Sequence, residues 1–281
     1  MKPLPLPALD ARTVYGTCIS KTRPAKAKAR LTQLEDQVAA AAAEFEKAAE
    51  AAALHTLGHL KDQPDGDKTA SRNKALTGCY TSRMARKGSA GRHIYNQLLK
   101  AANGLCPLCG HGYANTLDHQ LPKSTYPLLA VTPANLVPAC LTCNHAKGDS
   151  DPASAQEQTL HPYFDDITSH VWLAARLTEP PEPGVSFYVA PHPDWTPTLT
   201  ARVQLHFRTF KLGKLYAAQV GTELGALNDY LQGKPYKAIV DELQHRAASY
   251  GTRNSWQAAL YRALAASPWY VKAGYLNEWD G

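Results

Sequence analysis

A chain of 281 residues, 44% hydrophobic and 19% charged, is long enough to bury one large core or two smaller ones. It has no run of 18 apolar residues, which excludes a membrane-spanning helix, and its start, MKPLPLPALDARTVYG, has no apolar signal core, so a cytoplasmic address is expected. The net charge of +6 is unevenly placed, with 17 Lys and Arg against 9 Asp and Glu in residues 1–100, and eight bases without an acid between Asp67 and Asp118.

After a Pro-rich opening, residues 26–57 read as one long helix. Leu31, Leu34, Val38, Ala41, Phe45, Ala48 and Ala52 keep a 3-4 spacing and make a narrow apolar seam that suits packing against another helix. Gly58 and DQPDGD at 62–67 end the pattern. The basic stretch follows, with Lys68, Arg72, Lys74, Arg83, Arg86, Lys87, Arg92 and Lys100. Its charge suits a phosphate backbone, which attracts Lys and Arg with little regard to sequence; a solvated basic loop or an interface with an acidic partner is the plainer alternative. GRHIYNQLLKAANG reads as a helix closed by Gly104 just past its end. These segments form an N-terminal helical, basic region, 1–104, and a cysteine-bounded insert occupies 105–150.

The remainder, 151–281, reads as mainly helical with a short two-stranded unit. DDITSHVWLAARL reads as a helix opened by Asp165 and Asp166. GVSFYVA and TLTARVQLHF alternate apolar and polar residues and read as two strands joined across PHPDWTP. From residue 210 the spacing is helical. The expected fold class is therefore mainly α with a small α+β insert flanked by helices.

Four of the six cysteines are paired in spacing, Cys106-Pro-Leu-Cys109 and Cys140-Leu-Thr-Cys143, with 30 residues between the pairs. In a chain with no export signal such pairs argue for metal, and four thiolates on two tight turns suit one tetrahedral Zn²⁺. A segment this short and this poor in large apolar residues needs such a staple. Cys18 and Cys79 are isolated and read as small buried side chains.

The insert carries more than a zinc ribbon needs. Asp118 and His119 sit together in TLDHQLPKS, Asn135 precedes LVPAC, and Asn144, His145 and Lys147 follow the last cysteine. This pattern (C-x-x-C, D-H-x-x-P, N-L, C-x-x-C-N-x-x-K) resembles the HNH endonuclease family over about 45 residues. The resemblance implies a zinc-stapled ββα-metal module in which Asp118 and His119 end the first strand, Asn135 lies in the connecting loop and Asn144 lies on the helix. It also implies phosphodiester hydrolysis of DNA. His119 would be the general base, and Asn135 would orient the His119 loop through its amide. Asp118 and Asn144 would offer hard oxygens to one Mg²⁺ or Mn²⁺.

Asparagine replaces the third histidine of the family name at position 144, a variant the family uses. On a helix His145 points about 100° away from Asn144, whereas Lys147 shares its face. Lys147, His145, Arg83, Arg86, Lys87 and Arg92 are the candidate phosphate contacts. The alternative to a nuclease is an inactive zinc-dependent module that binds nucleic acid or a partner. A fainter likeness, in the basic helices before the module and HPYFD after it, is to nuclease subunits of Septu-type anti-phage defence systems. There a nuclease joins an ATPase; the present sequence has no G-x-x-x-x-G-K-[ST], so ATP would be bound by a partner subunit.

Overall fold

The computed structural model describes residues 1–62, 66–180, 182–250 and 253–276, with the backbone alone for 66–70. The centre of the turn expected at 62–67 and the Lys68 side chain therefore lie outside the described residues. The chain divides into two units, Met1–Asp166 and Ile167–Gly281. Among the described residues both are mainly helical, and each holds one two-stranded antiparallel sheet.

The first unit opens with α1 (Ala11–Ile19), whose cap residue Asp10 accepts the Thr13 N–H at 2.8 Å. The single helix expected over 26–57 is instead α2 (Ala25–Thr32), α3 (Glu35–Glu50) and a 3-10 segment, Leu54–Leu60. The first break lies where the buried Tyr15 hydroxyl donates to the Leu31 carbonyl at 2.9 Å, competing for the acceptor a continuing helix would use. The second lies where Ala52 turns left-handed (φ 52°) and the Gln158 side chain accepts the Leu54 N–H at 2.9 Å. The apolar seam survives the breaks: Leu31, Val38, Ala41, Phe45 and Ala48 are all buried within the unit.

Two further helices, α4 (Gly66–Thr81) and α5 (Arg92–Lys100), complete the helical frame. The latter ends on Asn103 and Gly104, both at positive φ. The cysteine-bounded insert follows as β1 (Thr116–His119), a loop, β2 (Leu136–Ala139) and α6 (Leu141–Lys147). In the antiparallel pair Thr116 faces Ala139 and His119 faces Leu136. The insert draws its core from the helices. Leu117, Ala130, Val131 and Leu136 join Val14, Val38, Leu76 and Ile94 in one buried cluster, and Leu121, Tyr126 and Leu129 join Phe45 and Leu57 in another. At about 1.5–3 kcal/mol for each large apolar side chain buried, these seats fix where the strands and their polar residues sit.

In the second unit β3 (Leu173–Thr178) and β4 (Gly184–Val189) form a hairpin registered from Leu173↔Val189 to Thr178↔Gly184. Two expectations are corrected here. DDITSHVWLAARL forms no helix: Asp165 accepts the His161 N–H (2.7 Å) and closes a turn, while Asn254 accepts the Trp172 and Leu173 N–H groups and leads them into β3. TLTARVQLHF is not a strand but part of α7 (Pro197–Thr209). Thr196 caps it by accepting the Leu199 N–H at 3.1 Å, and Pro197 suits the first helical turn. The partner of GVSFYVA thus lies before it in the chain. The unit continues with α8 (Leu212–Ala217), α9 (Val220–Leu231), α10 (Tyr236–Ser249), α11 (Trp256–Ala266) and α12 (Pro268–Lys272), as the helical spacing predicts. Among the described residues no helix is long and apolar enough to cross a membrane.

Candidate active site and metal centre

Cys106 and Cys109 lie on a turn opened by the Leu105–Tyr113 bridge, and Cys140 and Cys143 lie at the start of α6. All four are buried, and their sulfurs lie within 4.8 Å of one another, with Cys109 Sγ 4.0 Å from Cys140 Sγ. Bonds of about 2.3 Å around a tetrahedral zinc place ligand sulfurs about 3.8 Å apart, so this donor set fits such an ion. The N–H groups of Gly112 and Cys143 donate to Cys109 (3.3 Å) and Cys140 (3.4 Å), as at a thiolate cluster. Gly112 is required there, because a Cβ would lie 2.9 Å from Cys140 Sγ. Hydrogen bonds from Cys106 and Cys143 favour one thiolate at Cys109, while the same crowding raises Cys143 and pushes Cys106 up to about 12. Four thiolates need a cation between them. His111, two residues after Cys109, is not in the cluster.

A cleft of about 310 Å³ is lined by Tyr80, Asp118, His119, Lys123, Asn144, His145 and Asp149, among others. The register carries Asp118 and His119 to the end of β1, and α6 presents Asn144 to the same space. His119 is buried with its ring edge against Tyr80 at 4.4 Å, and burial pushes its imidazole down to about 3. Its Nε2 lies 2.9 Å from the Ala130 carbonyl. A carbonyl only accepts, so the proton sits on Nε2 and Nδ1 is the basic nitrogen. Asn144 donates through Nδ2 to Thr116 Oγ1 at 3.2 Å, so Oδ1 is the atom with which it could hold a cation.

Asp118 is also buried. Desolvation pushes its carboxyl up to about 6, against an opposing pull from Lys147. Lys147, expected at a phosphate, lies inside the module: its ammonium donates to the His119 carbonyl at 2.7 Å and pairs with Asp118 at 3.6 Å. The helix spacing put Lys147 on the Asn144 face, but its stem is long enough to turn inward beneath β1. Burial lowers its pKa, with Asp118 working the other way.

Asn135 is fully buried and does not line the cleft. Its Oδ1 accepts the Leu121 N–H at 2.8 Å, and its Nδ2 donates to the carbonyls of Leu121 (3.0 Å) and Leu129 (3.2 Å). The amide therefore ties both ends of the loop that supplies Ala130 to His119. Asn135→Ala orphans the buried Leu121 N–H and carbonyl, while the Leu129 carbonyl keeps the Thr132 N–H at 3.2 Å; it is expected to lower stability by about 2 kcal/mol or more, read by urea unfolding. A loss within error of zero would mean the loop is held elsewhere.

The four basic candidates separate. Arg86 and Lys87 are exposed. Arg92 stacks on Tyr95 (4.3 Å), donates to Asn96 at 3.0 Å and bonds the Ala85 carbonyl. Arg83 is half-buried and hydrogen-bonds the buried Cys79. His145 is exposed at the cleft.

Sequence reasoning passed over several residues. Lys123 and Asp149 line the cleft, and Lys123 Nζ stands 5.6 Å over the Tyr80 ring. The HPYF segment is a clamp: His161 Nε2 bonds the Ala134 carbonyl (3.1 Å) and Tyr163 donates to the Leu136 carbonyl (2.9 Å) at the entrance to β2. Only proximity to the motif hinted at Lys123 and Asp149; HPYFD stood out in the sequence only as part of the fainter family likeness, with no sign of its clamping role.

The family model described as HNH endonuclease matches residues 106–150. Protein ea31 of Escherichia phage lambda is 32% identical over 208 residues, covering 67% of this chain and 70% of the relative. Septu protein PtuB of Bacillus thuringiensis is 35% identical over 84 residues, covering 28% of this chain and 32% of that protein. No solved structure gives a significant match.

Proposed function

Since the chain belongs to the HNH endonuclease family, we propose that it hydrolyses DNA phosphodiester bonds with one Mg²⁺ or Mn²⁺ and keeps its site in shape with a structural Zn²⁺ on the four cysteines. The observation that carries the reading is the convergence of Asp118, His119 and Asn144 on one cleft, with His119 held in the tautomer that leaves Nδ1 basic. Asp118 and Asn144 Oδ1 would hold the cation, which supplies positive charge against the phosphate and the leaving 3′-oxygen. His119 takes a proton from the attacking water at Nδ1, and Ala130 keeps the ring from turning. Lys147 fixes the backbone at His119 and the carboxylate at Asp118. Lys123 faces the phosphate, and the exposed Arg86 and Lys87 hold the DNA backbone beyond it. Kinship with PtuB supports a place in anti-phage defence beside an ATPase partner.

The acid limb of activity should belong to Asp118. Its carboxyl sits at about 6, so protonation and cation compete for it as pH falls through that value. At subsaturating Mg²⁺, cleavage should drop about tenfold per unit below pH 6, and more Mg²⁺ should move the limb to lower pH. Lys147→Met removes the charge that holds this pKa down, so the limb should move up. A limb that ignores both Mg²⁺ and this substitution contradicts the assignment.

Incubation of supercoiled plasmid with the chain, alone and co-expressed with a neighbouring ATPase, tests the proposal itself. Conversion to nicked or linear DNA in Mg²⁺ or Mn²⁺, stopped by EDTA, is the expected result. Intact plasmid under every condition overturns it and favours the zinc-dependent binding module.

A further inference from the structure

The second unit holds another set of metal-type donors, remote in the sequence from the nuclease motif. Leu173 pairs with Val189 as the last rung of the β3–β4 hairpin. His170 lies three residues before that rung and His192 three residues after it, so the open end of the hairpin brings the two imidazoles together. Their ring centroids are 3.9 Å apart, inclined at 38°. The Asp194 carboxylate reaches both, with Oδ2 at 3.9 Å from His170 Nε2 and 3.5 Å from His192 Nδ1.

We propose that His170, His192 and Asp194 form a binding site for a borderline divalent transition-metal ion such as Zn²⁺. One donor atom from each lies within 4.8 Å of the others. Around a four-coordinate ion with bonds of about 2.0–2.1 Å, donors stand about 3.4 Å apart, so closure requires only small side-chain shifts. Two imidazole nitrogens and one carboxylate suit Zn²⁺, Co²⁺, Ni²⁺ or Cu²⁺ rather than Mg²⁺ or Ca²⁺, and leave a fourth position to water.

The surroundings orient the donors. Ser169 Oγ lies 2.9 Å from His170 Nδ1 and engages it, which turns Nε2 to the carboxylate. His192 Nδ1 accepts the Asp194 N–H at 3.3 Å, a long bond that an ion taking the same lone pair would replace. Pro191 and Pro193 flank His192 and restrict its backbone. Asn254 donates to the His170 carbonyl at 2.7 Å and anchors the opposite arm. Each imidazole is half-buried while the carboxylate is exposed, so an ion can enter from solvent and clip the end of the hairpin.

Calorimetric titration of Zn²⁺ into the full chain, with its cysteine site already filled and Asp118→Ala closing the nuclease cleft to cations, tests the site. The expected result is one further equivalent taken up by this chain and none by the same chain carrying His170→Gln and His192→Gln. Asp194→Asn, a change at an exposed position, should weaken uptake at least tenfold, and Ser169→Ala about tenfold. Equal uptake with and without the two histidines overturns the proposal, as does the lack of a further equivalent in the parent. If the doubly substituted chain does not fold, an unchanged affinity in Asp194→Asn overturns it equally.

Discussion

His119→Ala is expected to lower the rate of DNA cleavage by about 10²–10⁴-fold, the range a positioned general base contributes. Added imidazole should recover part of it by entering the space the ring leaves. The magnitude rests on how completely the site commits this side chain. Its Nε2–H is spent on the Ala130 carbonyl at 2.9 Å and its ring edge packs on Tyr80. Burial holds the imidazole down near 3, so the base is unprotonated across the working pH range and adds no acid limb above about pH 4. The substitution also orphans the Ala130 carbonyl, for which a loss of about 1–3 kcal/mol is expected. A melting curve separates that loss from the chemical one: a chain still folded at assay temperature but slowed a hundredfold has lost its base. A folded His119→Ala chain that cleaves within threefold of wild type would remove His119 from the mechanism.

The second large effect is at the cysteines. Structural zinc binds short modules with about 10–16 kcal/mol of apparent free energy, comparable to the whole stability of a domain. Cys140→Ser with Cys143→Ser, or a strong chelator, should therefore release one tightly held equivalent of zinc and abolish cleavage. The damage should be local. Helices α1 to α5 supply most of the buried cluster that the insert joins, Val14, Val38, Leu76 and Ile94 among them, so most of the helical circular dichroism should remain. What disperses is the start of α6, where Cys140 sits one turn before Asn144 and Cys143 immediately before it. Retention of zinc by the doubly substituted chain, or full cleavage without zinc, would contradict the role given to the cluster.

The parts of the site that require a particular residue type were legible in the sequence. Paired thiols, a D-H step and two asparagines have few other reasons to occur at such spacing, and the strand, loop and helix carrying them follow the order the resemblance implies. Parts decided by partners distant in the chain were not legible. Leu31 and Leu34 keep perfect helical spacing, yet Tyr15 takes a carbonyl and the helix breaks. TLTARVQLHF fits both periods, and its cap at Thr196 tips it to a helix. Lys147 shares the Asn144 face by spacing, but its length lets it turn to the His119 carbonyl. Lys123 and Asp149 have no motif of their own and gain meaning only where the fold closes the cleft around them.

The most direct test of the account is to map the ends left on a plasmid cut by the full chain in Mg²⁺. Attack of water on phosphorus with departure of the 3′-oxygen predicts 3′-hydroxyl and 5′-phosphate ends, formed by wild type and not in EDTA. Ends carrying a 3′-phosphate, or cutting indifferent to EDTA, would contradict it.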